Sequence, residues 1–280
     1  MKSVISPETA EQSEAEALYR FETAAPQSVR SVLGIDALRI GGGVAMAMRH
    51  DVTGYWSKAL GFGCTAPITD ELIGAVCRFY REQRVAGAVF QVSPALLPAD
   101  WAEVRARHGL TAGSSWVKLV ADVDEAVALA DAGEGLSRLD VAPVELGDAG
   151  MWASAMMRAF GMPEESYPDM AAATVGLPGW HAHAAWLDGE LVGTGTVYVR
   201  GETAQMFGGA VLPAARRRGG QTALLAARAR LAQKLGCRWL VAETGVEQPG
   251  EHNSSLHNML RLGFERLYER RNWSWRPEQE

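Results

Sequence analysis

The hydrophobic residues of this chain follow two different spacings, and each spacing predicts a different kind of secondary structure. From Thr69 to about Gln83, apolar residues recur three and four positions apart, which predicts a helix capped by Thr69. Ser6-Pro7 predicts the start of a first helix that runs to about Thr23. Short apolar runs predict strands in the first half of the chain, at 38–48, 87–92 and 111–121.

The second half of the chain has a regular order of predicted elements. It consists of strand 141–146, helix 148–160, antiparallel strands 181–187, 191–199 and 203–212, helix 221–235, strand 238–244, helix 254–262 and strand 264–275. The first half ends with a similar succession, namely helix 69–83, strand 87–92, helix 98–107 and strand 111–121. This similarity predicts an internal repeat with an incomplete first copy. We place the first unit at 1–122, a connector at 123–140 and the second unit at 141–280.

The stretch from Gly208 to Leu225 carries the strongest chemical signal. Its strand ends at Pro213, which has no N–H for a ladder, and arginines 216–218 and glycines 219–220 follow before a helix begins. A helix N-terminus offers unpaired N–H groups, glycine allows a phosphate to approach closely, and arginine adds charge-assisted hydrogen bonds. A solvated basic loop is the alternative, but the combination favours a pyrophosphate site.

Composition and net charge limit the classes of partner that we expect the chain to bind. The formal net charge is −6, so the arginines are a local feature that suits a small anion better than a nucleic acid. Cys64, Cys77 and Cys237 are odd in number and far apart, which disfavours a disulfide framework and favours a reducing compartment. No run approaches the ~18 apolar residues of a membrane span, and the N-terminal segment is acidic where a signal peptide is apolar. We expect a cytoplasmic protein without nucleic-acid or membrane partners.

Two groups of residues carry a resemblance to a known family. The pattern Val211-x-Pro213-x-x-Arg216-x-Arg218-Gly219-x-x-x-x-Leu224-Leu225 resembles the pyrophosphate-binding motif of the GNAT family, the acetyl-CoA-dependent N-acetyltransferases. Asn253, followed by Leu260-x-x-Gly263-Phe264, is similar to the later helix and Gly-Phe pair of that family. The resemblance covers roughly 141–275, and the first unit resembles a degenerate copy, as in tandem members. It implies an α/β (α+β) fold of two units, each a mostly antiparallel mixed sheet flanked by helices.

The same resemblance implies acetyl-CoA as co-substrate and assigns residues to it. The strand through Gly208-Gly209 is expected to bulge and to splay from its neighbour, which leaves backbone groups free for the pantetheine arm. Asn253 either reaches the cofactor or only caps its helix. The other residues assigned to the pantetheine arm and the pyrophosphate are Ala210, Val211, Leu212, Arg216, Arg217, Arg218, Gly219, Gly220, Gln221 and Thr222.

Three positions depart from the family pattern. Gln221 stands where glycine or alanine is usual, so its side chain either crowds the phosphate or hydrogen-bonds to it. Arg217 replaces a common glycine. Met259 stands where many members have a tyrosine that protonates the leaving thiolate, and methionine has no proton to donate.

Transfer of an acetyl group to an amine requires removal of a proton from the amine and departure of the thiolate. We predict Glu243, at the end of its strand, as the base, with an ion pair or loop cap as its alternative role. Tyr268 is a candidate proton donor or a packing residue. Trp180, His181 and His183 are candidates for substrate binding, although core or edge positions explain them equally simply. We predict no metal site, because the two histidines lack a third ligand.

The leading hypothesis is an N-acetyltransferase that transfers an acetyl group directly to a primary amine of a small molecule, amino acid or peptide. A non-catalytic acyl-CoA binding or sensing module is the alternative, supported by Met259 at the acid position. The chain is expected to act as a monomer or homodimer.

Overall fold

The computed structural model describes residues 5–133 and 139–277. Packing divides the chain into unit 1, Met1–Lys118 with Leu267–Glu280, and unit 2, Leu119–Arg266. The predicted fold class is confirmed, because each unit is a mixed, mostly antiparallel sheet flanked by helices. The predicted boundaries of the two copies, 1–122 and 141–280, stay a prediction, and residues 134–138 of the predicted connector lie outside the described residues.

Unit 1 contains the first eight helices and strands, most of the ninth element and most of the last strand. Its helices are α1 (Pro7–Thr23), α2 (Gln27–Leu33), α3 (Asp70–Glu82) and α4 (Trp101–Arg107). Its strands are β1 (Ile35–Ile40), β2 (Gly43–Met48), β3 (Lys58–Leu60), β4 (Ala88–Gln91), β5 (Thr111–Asp122) and the final strand β11 (Glu265–Trp275), in the order β1-β2-β3-β4-β11-β5. β3 and β4 are parallel, whereas β1–β2, β2–β3 and β4–β11 are antiparallel.

The prediction of one strand over 38–48 was wrong. Gly41 and Gly42 have φ values of 57° and 79°, so the chain reverses there and Ile40 pairs with Gly43 in an antiparallel hairpin. Glycine adopts this left-handed backbone without the steric cost that other residues meet. Apolar residues lie on both sides of the turn, so hydrophobicity alone does not distinguish the hairpin from a single strand.

A buried cluster of charged residues lies in unit 1. Arg270 donates to Glu11 and Glu14 over 2.7 and 2.6 Å, and the Lys118 ammonium also donates to Glu14. Burial alone raises the pKa of Glu14, but the positive charges of Arg270 and Lys118 outweigh it and lower that pKa to about 2. Tyr268 donates its hydroxyl to Glu11 over 2.7 Å, and burial followed by the Glu11 charge raises the tyrosine pKa.

Unit 2 contains the remaining elements, and most agree with the prediction to within one or two residues. Its helices are α5 (Val123–Ala132), α6 (Ala149–Phe160), α7 (Tyr167–Ala172), α8 (Gly220–Lys234) and α9 (Ser254–Arg261). Its strands are β6 (Asp140–Pro143), β7 (Trp180–Leu187), β8 (Glu190–Arg200), β9 (Thr203–Val211) and β10 (Trp239–Gly245), in the order β10-β9-β8-β7-β6 with the end of β5 beside β10. β6 is shorter than predicted because Leu146 begins a 3₁₀ turn.

Candidate functional site

Strand β9 bulges at its two glycines. Thr194 pairs with Ala210 and Thr196 pairs with Phe207, so the single residue Gly195 of β8 faces both Gly208 and Gly209. Gly208 has a φ of 56°, a backbone conformation that favours glycine. The bulge expected at this point of the strand is confirmed.

Arg228 of α8 fills the space beside the bulge. Its guanidinium Nη1 donates to the carbonyls of Thr196 and Phe207 over 3.1 and 3.3 Å, and its Nε donates to the Leu224 carbonyl over 2.9 Å. A Cβ on Gly195 would lie 2.9 Å from this guanidinium, and one on Gly209 would lie 3.0 Å from it. Burial lowers the pKa of Arg228 to about 10, which leaves it charged at neutral pH. The arginine therefore requires both glycines and holds the backbone around the bulge.

Strands β9 and β10 separate after three residue pairs. They run parallel from Trp239↔Thr203 to Val241↔Gln205, and no β9–β10 pair follows in the described residues 206–211 and 242–245. Gln205 donates from Nε2 to Glu243 Oε2 over 3.0 Å, just beyond the last pair. The expected splay is confirmed. It places the half-buried Glu243 side chain at the point where the two strands diverge.

The cradle, residues 216–222, joins the open end of β9 to α8. Arg217 and Gly219 have φ values of 62° and 82°, and α8 begins at Gly220 without a side-chain cap. The first main-chain bond of the helix runs from Ala223 N to Gly219 O, at 2.9 Å. In the described part of the chain, the N–H groups of 220–222 have no protein acceptor. This arrangement provides unpaired donors at a positive helix end, as an anion site requires.

Arginines 216–218, the first three residues of the cradle, are exposed. Arg216 donates from Nε to the Val211 carbonyl over 3.3 Å, which fixes its stem near the end of β9. Arg217 and Arg218 form no ion pair with the residues that the structure describes. Gly220 is buried, and a Cβ there would lie 2.7 Å from Leu139 Cδ1. The backbone at the start of α8 therefore accepts no larger residue without displacement of that leucine.

Gln221 does not project its amide into the cradle. Its Nε2 donates to Ser255 Oγ over 3.1 Å, and its Oε1 accepts from Asn258 Nδ2 over 2.5 Å. Both partners lie on α9, so this side chain clamps α8 to α9 instead of occupying a phosphate position.

Asn253 acts as the cap of α9, which was one of its two predicted roles. Its Oδ1 accepts from Leu256 N over 3.1 Å, and its Nδ2 donates to Thr244 Oγ1 and the Gly245 carbonyl over 3.1 and 2.8 Å. Both amide hydrogens are therefore used, and a cofactor contact stays a prediction. Met259, at the expected position of the acid, lies on the buried side of the same helix.

The predicted substrate residues lie on β7. His183 is buried, and burial followed by the charge of Arg228 lowers its pKa to about 4. Burial also lowers the pKa of His181, so both imidazoles are neutral at neutral pH. Trp180 packs its ring 4.9 Å from that of Tyr198 and 5.9 Å from that of Phe207. A role for these residues in substrate binding stays a prediction.

Sequence reasoning missed Gln205 and Arg228. Each had a signal in the sequence, because Gln205 interrupts an apolar strand and Arg228 lies four residues after Leu224 on the face of α8 expected to be buried.

In the described residues, no helix has both the length and the hydropathy needed to cross a membrane.

Comparisons with known proteins agree with this geometry. Residues 151–264 match the family model described as the Acetyltransferase (GNAT) family. No match was found among curated proteins. The structure is similar to that of a GCN5-related N-acetyltransferase from Kribbella flavida, with a TM-score of 0.66, 15% identity, and coverage of 99% of this chain and 98% of that one.

Two further solved structures share the fold. A tandem GNAT protein from the clavulanic acid biosynthesis pathway gives a TM-score of 0.59 at 15% identity, with coverage of 96% of this chain and 98% of that one. A GCN5-related N-acetyltransferase from Sphaerobacter thermophilus gives a TM-score of 0.58 at 14% identity, with coverage of 99% of this chain and 96% of that one. The resemblance seen in the sequence is thereby confirmed: residues 151–264 match the GNAT family, whose chemistry is acyl transfer from acyl-CoA, and the chain shares its fold with a tandem GNAT protein.

Proposed function

We propose that this protein is an acetyl-CoA-dependent N-acetyltransferase, which transfers an acetyl group directly to a primary amine of a small molecule, amino acid or peptide. The observation that carries the proposal is the continuity of the site. The splayed, bulged end of β9 leads directly into the cradle at the start of α8. An extended donor with a pyrophosphate at one end suits this arrangement.

The binding residues follow from that continuity. We assign the pyrophosphate to the N–H groups of 218–222 and to the charges of arginines 216–218. The pantetheine arm is assigned to the main chain of 210–212, on the edge of β9 that β10 leaves unpaired. Asn253 orders the start of α9 through its cap and supports the same side of the site.

Glu243 is the proposed general base. It lies at the divergence of β9 and β10, and the hydrogen bond from Gln205 fixes one carboxylate oxygen. In this role Glu243 accepts a proton from the ammonium form of the acceptor, which frees the nitrogen lone pair to attack the thioester carbonyl. The C–N bond forms as the C–S bond breaks, so no covalent enzyme intermediate is needed.

For the leaving thiolate we propose protonation by water. Met259 cannot donate, and the Tyr268 hydroxyl already donates to Glu11. On the acceptor side, Trp180, His181 and His183 are proposed to contribute to binding as neutral, largely apolar surfaces.

Unit 1 is proposed to bind no acetyl-CoA. Thr69 caps its helix α3, and Asp70 and Glu71 make that N-terminus acidic.

The second candidate is a non-catalytic acyl-CoA sensor, which the buried Met259 at the acid position favours. In either case we propose a cytoplasmic monomer or homodimer without nucleic-acid or membrane partners.

The experiment that separates the candidates is release of free CoA thiol from acetyl-CoA across a panel of small amines, amino acids and peptides. Binding is measured in parallel by thermal shift, where ligand at ~100 times Kd adds about 2.7 kcal/mol of stability. An enzyme gives both a shift and amine-dependent thiol release. A sensor gives the shift alone, and the absence of a shift contradicts both candidates.

A further inference from the structure

A polar loop of eight residues, 246–253, follows β10 in unit 2 and ends at the Asn253 cap. Within it, Pro249 and Gly250 occupy the centre of a tight turn, in which Glu251 N donates to the Gln248 carbonyl over 2.9 Å and Gly250 has a φ of 85°. Proline followed by a left-handed glycine is the preferred pair for a type II turn. The turn brings the residues on either side of it, Glu247 and His252, to face each other.

Two further contacts assemble a cluster around the Glu247 carboxylate. His257, one turn into α9, places Nε2 at 2.9 Å from Glu247 Oε2, and His252 places Nδ1 at 3.9 Å from the same oxygen. The Asn253 N–H donates to that oxygen over 2.6 Å. The two imidazole rings lie 4.5 Å apart at an angle of 30°.

We propose that Glu247, His252 and His257 bind a divalent zinc-class metal ion. One ligand atom from each residue lies within 4.8 Å of the other two, and among the described residues this is the one such group of three. Two imidazoles and one carboxylate are a ligand set that zinc prefers, and three protein ligands leave a fourth position open.

The distances suit an ion with small adjustments. Tetrahedral zinc with bonds of about 2.0–2.1 Å holds its ligand atoms about 3.3 Å apart. The two separations from Glu247 Oε2, 2.9 and 3.9 Å, lie on either side of that value, and all three ligand atoms lie within 4.8 Å of one another, so side-chain rotations are enough to close the site around an ion. His252 has the freedom for such a shift, because its side chain is 65% exposed. The Asn253 N–H supplies the outer hydrogen bond that orients a ligating carboxylate.

The site is independent of acetyl transfer, and it has a structural consequence of its own. A bound ion would tie the loop after β10 to the first turn of α9, close in sequence to Glu243. It would also place a positive charge beside the Glu247 carboxylate.

The test is calorimetric titration of Zn²⁺ into the full, tag-free, chelator-treated chain. Wild type is expected to bind one equivalent, and His252→Ala and Glu247→Gln to weaken that binding at least tenfold. Glu251→Gln, an exposed carboxylate in the same loop, is the matched control and is expected to change nothing. Visible absorption of the Co²⁺-substituted protein should report a four- or five-coordinate site that is lost in His252→Ala.

The His252→Ala variant keeps the result interpretable, because removal of an exposed imidazole leaves the Asn253-to-Glu247 hydrogen bond in place. No zinc binding by wild type, or equal affinity in wild type and His252→Ala, would overturn the proposal.

Discussion

Gln205 of β9 donates a hydrogen bond of 3.0 Å to Glu243 of β10, immediately beyond the last main-chain pair between the two strands. The side-chain bond replaces the ladder at the point where the strands separate. It holds a half-buried carboxylate at the base of the opening in a fixed orientation, which is what a general base requires.

Glu243→Gln is expected to lower kcat by about 10²–10⁴-fold, because the amide cannot accept the amine proton. Acetyl-CoA affinity should remain unchanged, since the cradle is assigned to other residues. Steady-state thiol release and thermal shift measure the two quantities. Glu190→Gln, at an exposed position on β8, is the matched control, and equal losses in both variants would exclude a special role for Glu243.

Arg217→Glu and Arg218→Glu are each expected to weaken acetyl-CoA binding about tenfold or more, because each reverses an exposed positive charge beside the proposed pyrophosphate position. The wild-type affinity should also fall as salt is raised, since exposed charges are screened. Arg200→Glu, an exposed arginine of unit 2 outside the cradle, provides the control. Equal weakening by Arg200→Glu would point to net charge instead of a local site.

Arg228→Met is expected to lower the free energy of unfolding by roughly 1–3 kcal/mol for each buried carbonyl that it leaves unpaired. Arg230→Met on the same helix removes an exposed ion pair with Asp131 and should cost no more than about 1 kcal/mol. Urea unfolding of both variants measures the difference. Similar losses in the two would show that Arg228 does not support the bulge.

The pH dependence of stability should reveal His183. Its pKa is about 4 in the folded chain against 6.5 when unperturbed, so the unfolded state binds more protons between these values. The free energy of unfolding that depends on a neutral His183 is fully present above pH 6.5. It declines as the pH falls toward 4, and about 2 kcal/mol of it is lost at pH 5. Urea unfolding at pH 7 and pH 5 should therefore show a smaller difference for His183→Asn than for wild type, and an identical difference would contradict the assignment.

Much of unit 2 was predictable from the sequence because its elements are marked locally. Asn253 caps α9 as predicted, and proline or glycine lies at or just beyond the end of most strands. The side-chain partners were not predictable, because they depend on residues distant in the chain. Tyr268 meets Glu11 across 257 positions, and Gln221 meets α9 across 34 and 37 positions. Local patterns carry no information on such pairs.

The central claim is that the cradle of unit 2 is the acetyl-CoA site, and a calorimetric titration of acetyl-CoA tests it most directly. One site per chain is predicted, because the acidic, capped N-terminus of α3 in unit 1 disfavours an anion. Gly219→Asp should abolish binding by placing a carboxylate in the cradle, at a left-handed backbone position that aspartate tolerates better than most residues. Two sites per chain, or unchanged binding in a folded Gly219→Asp protein, would contradict the account.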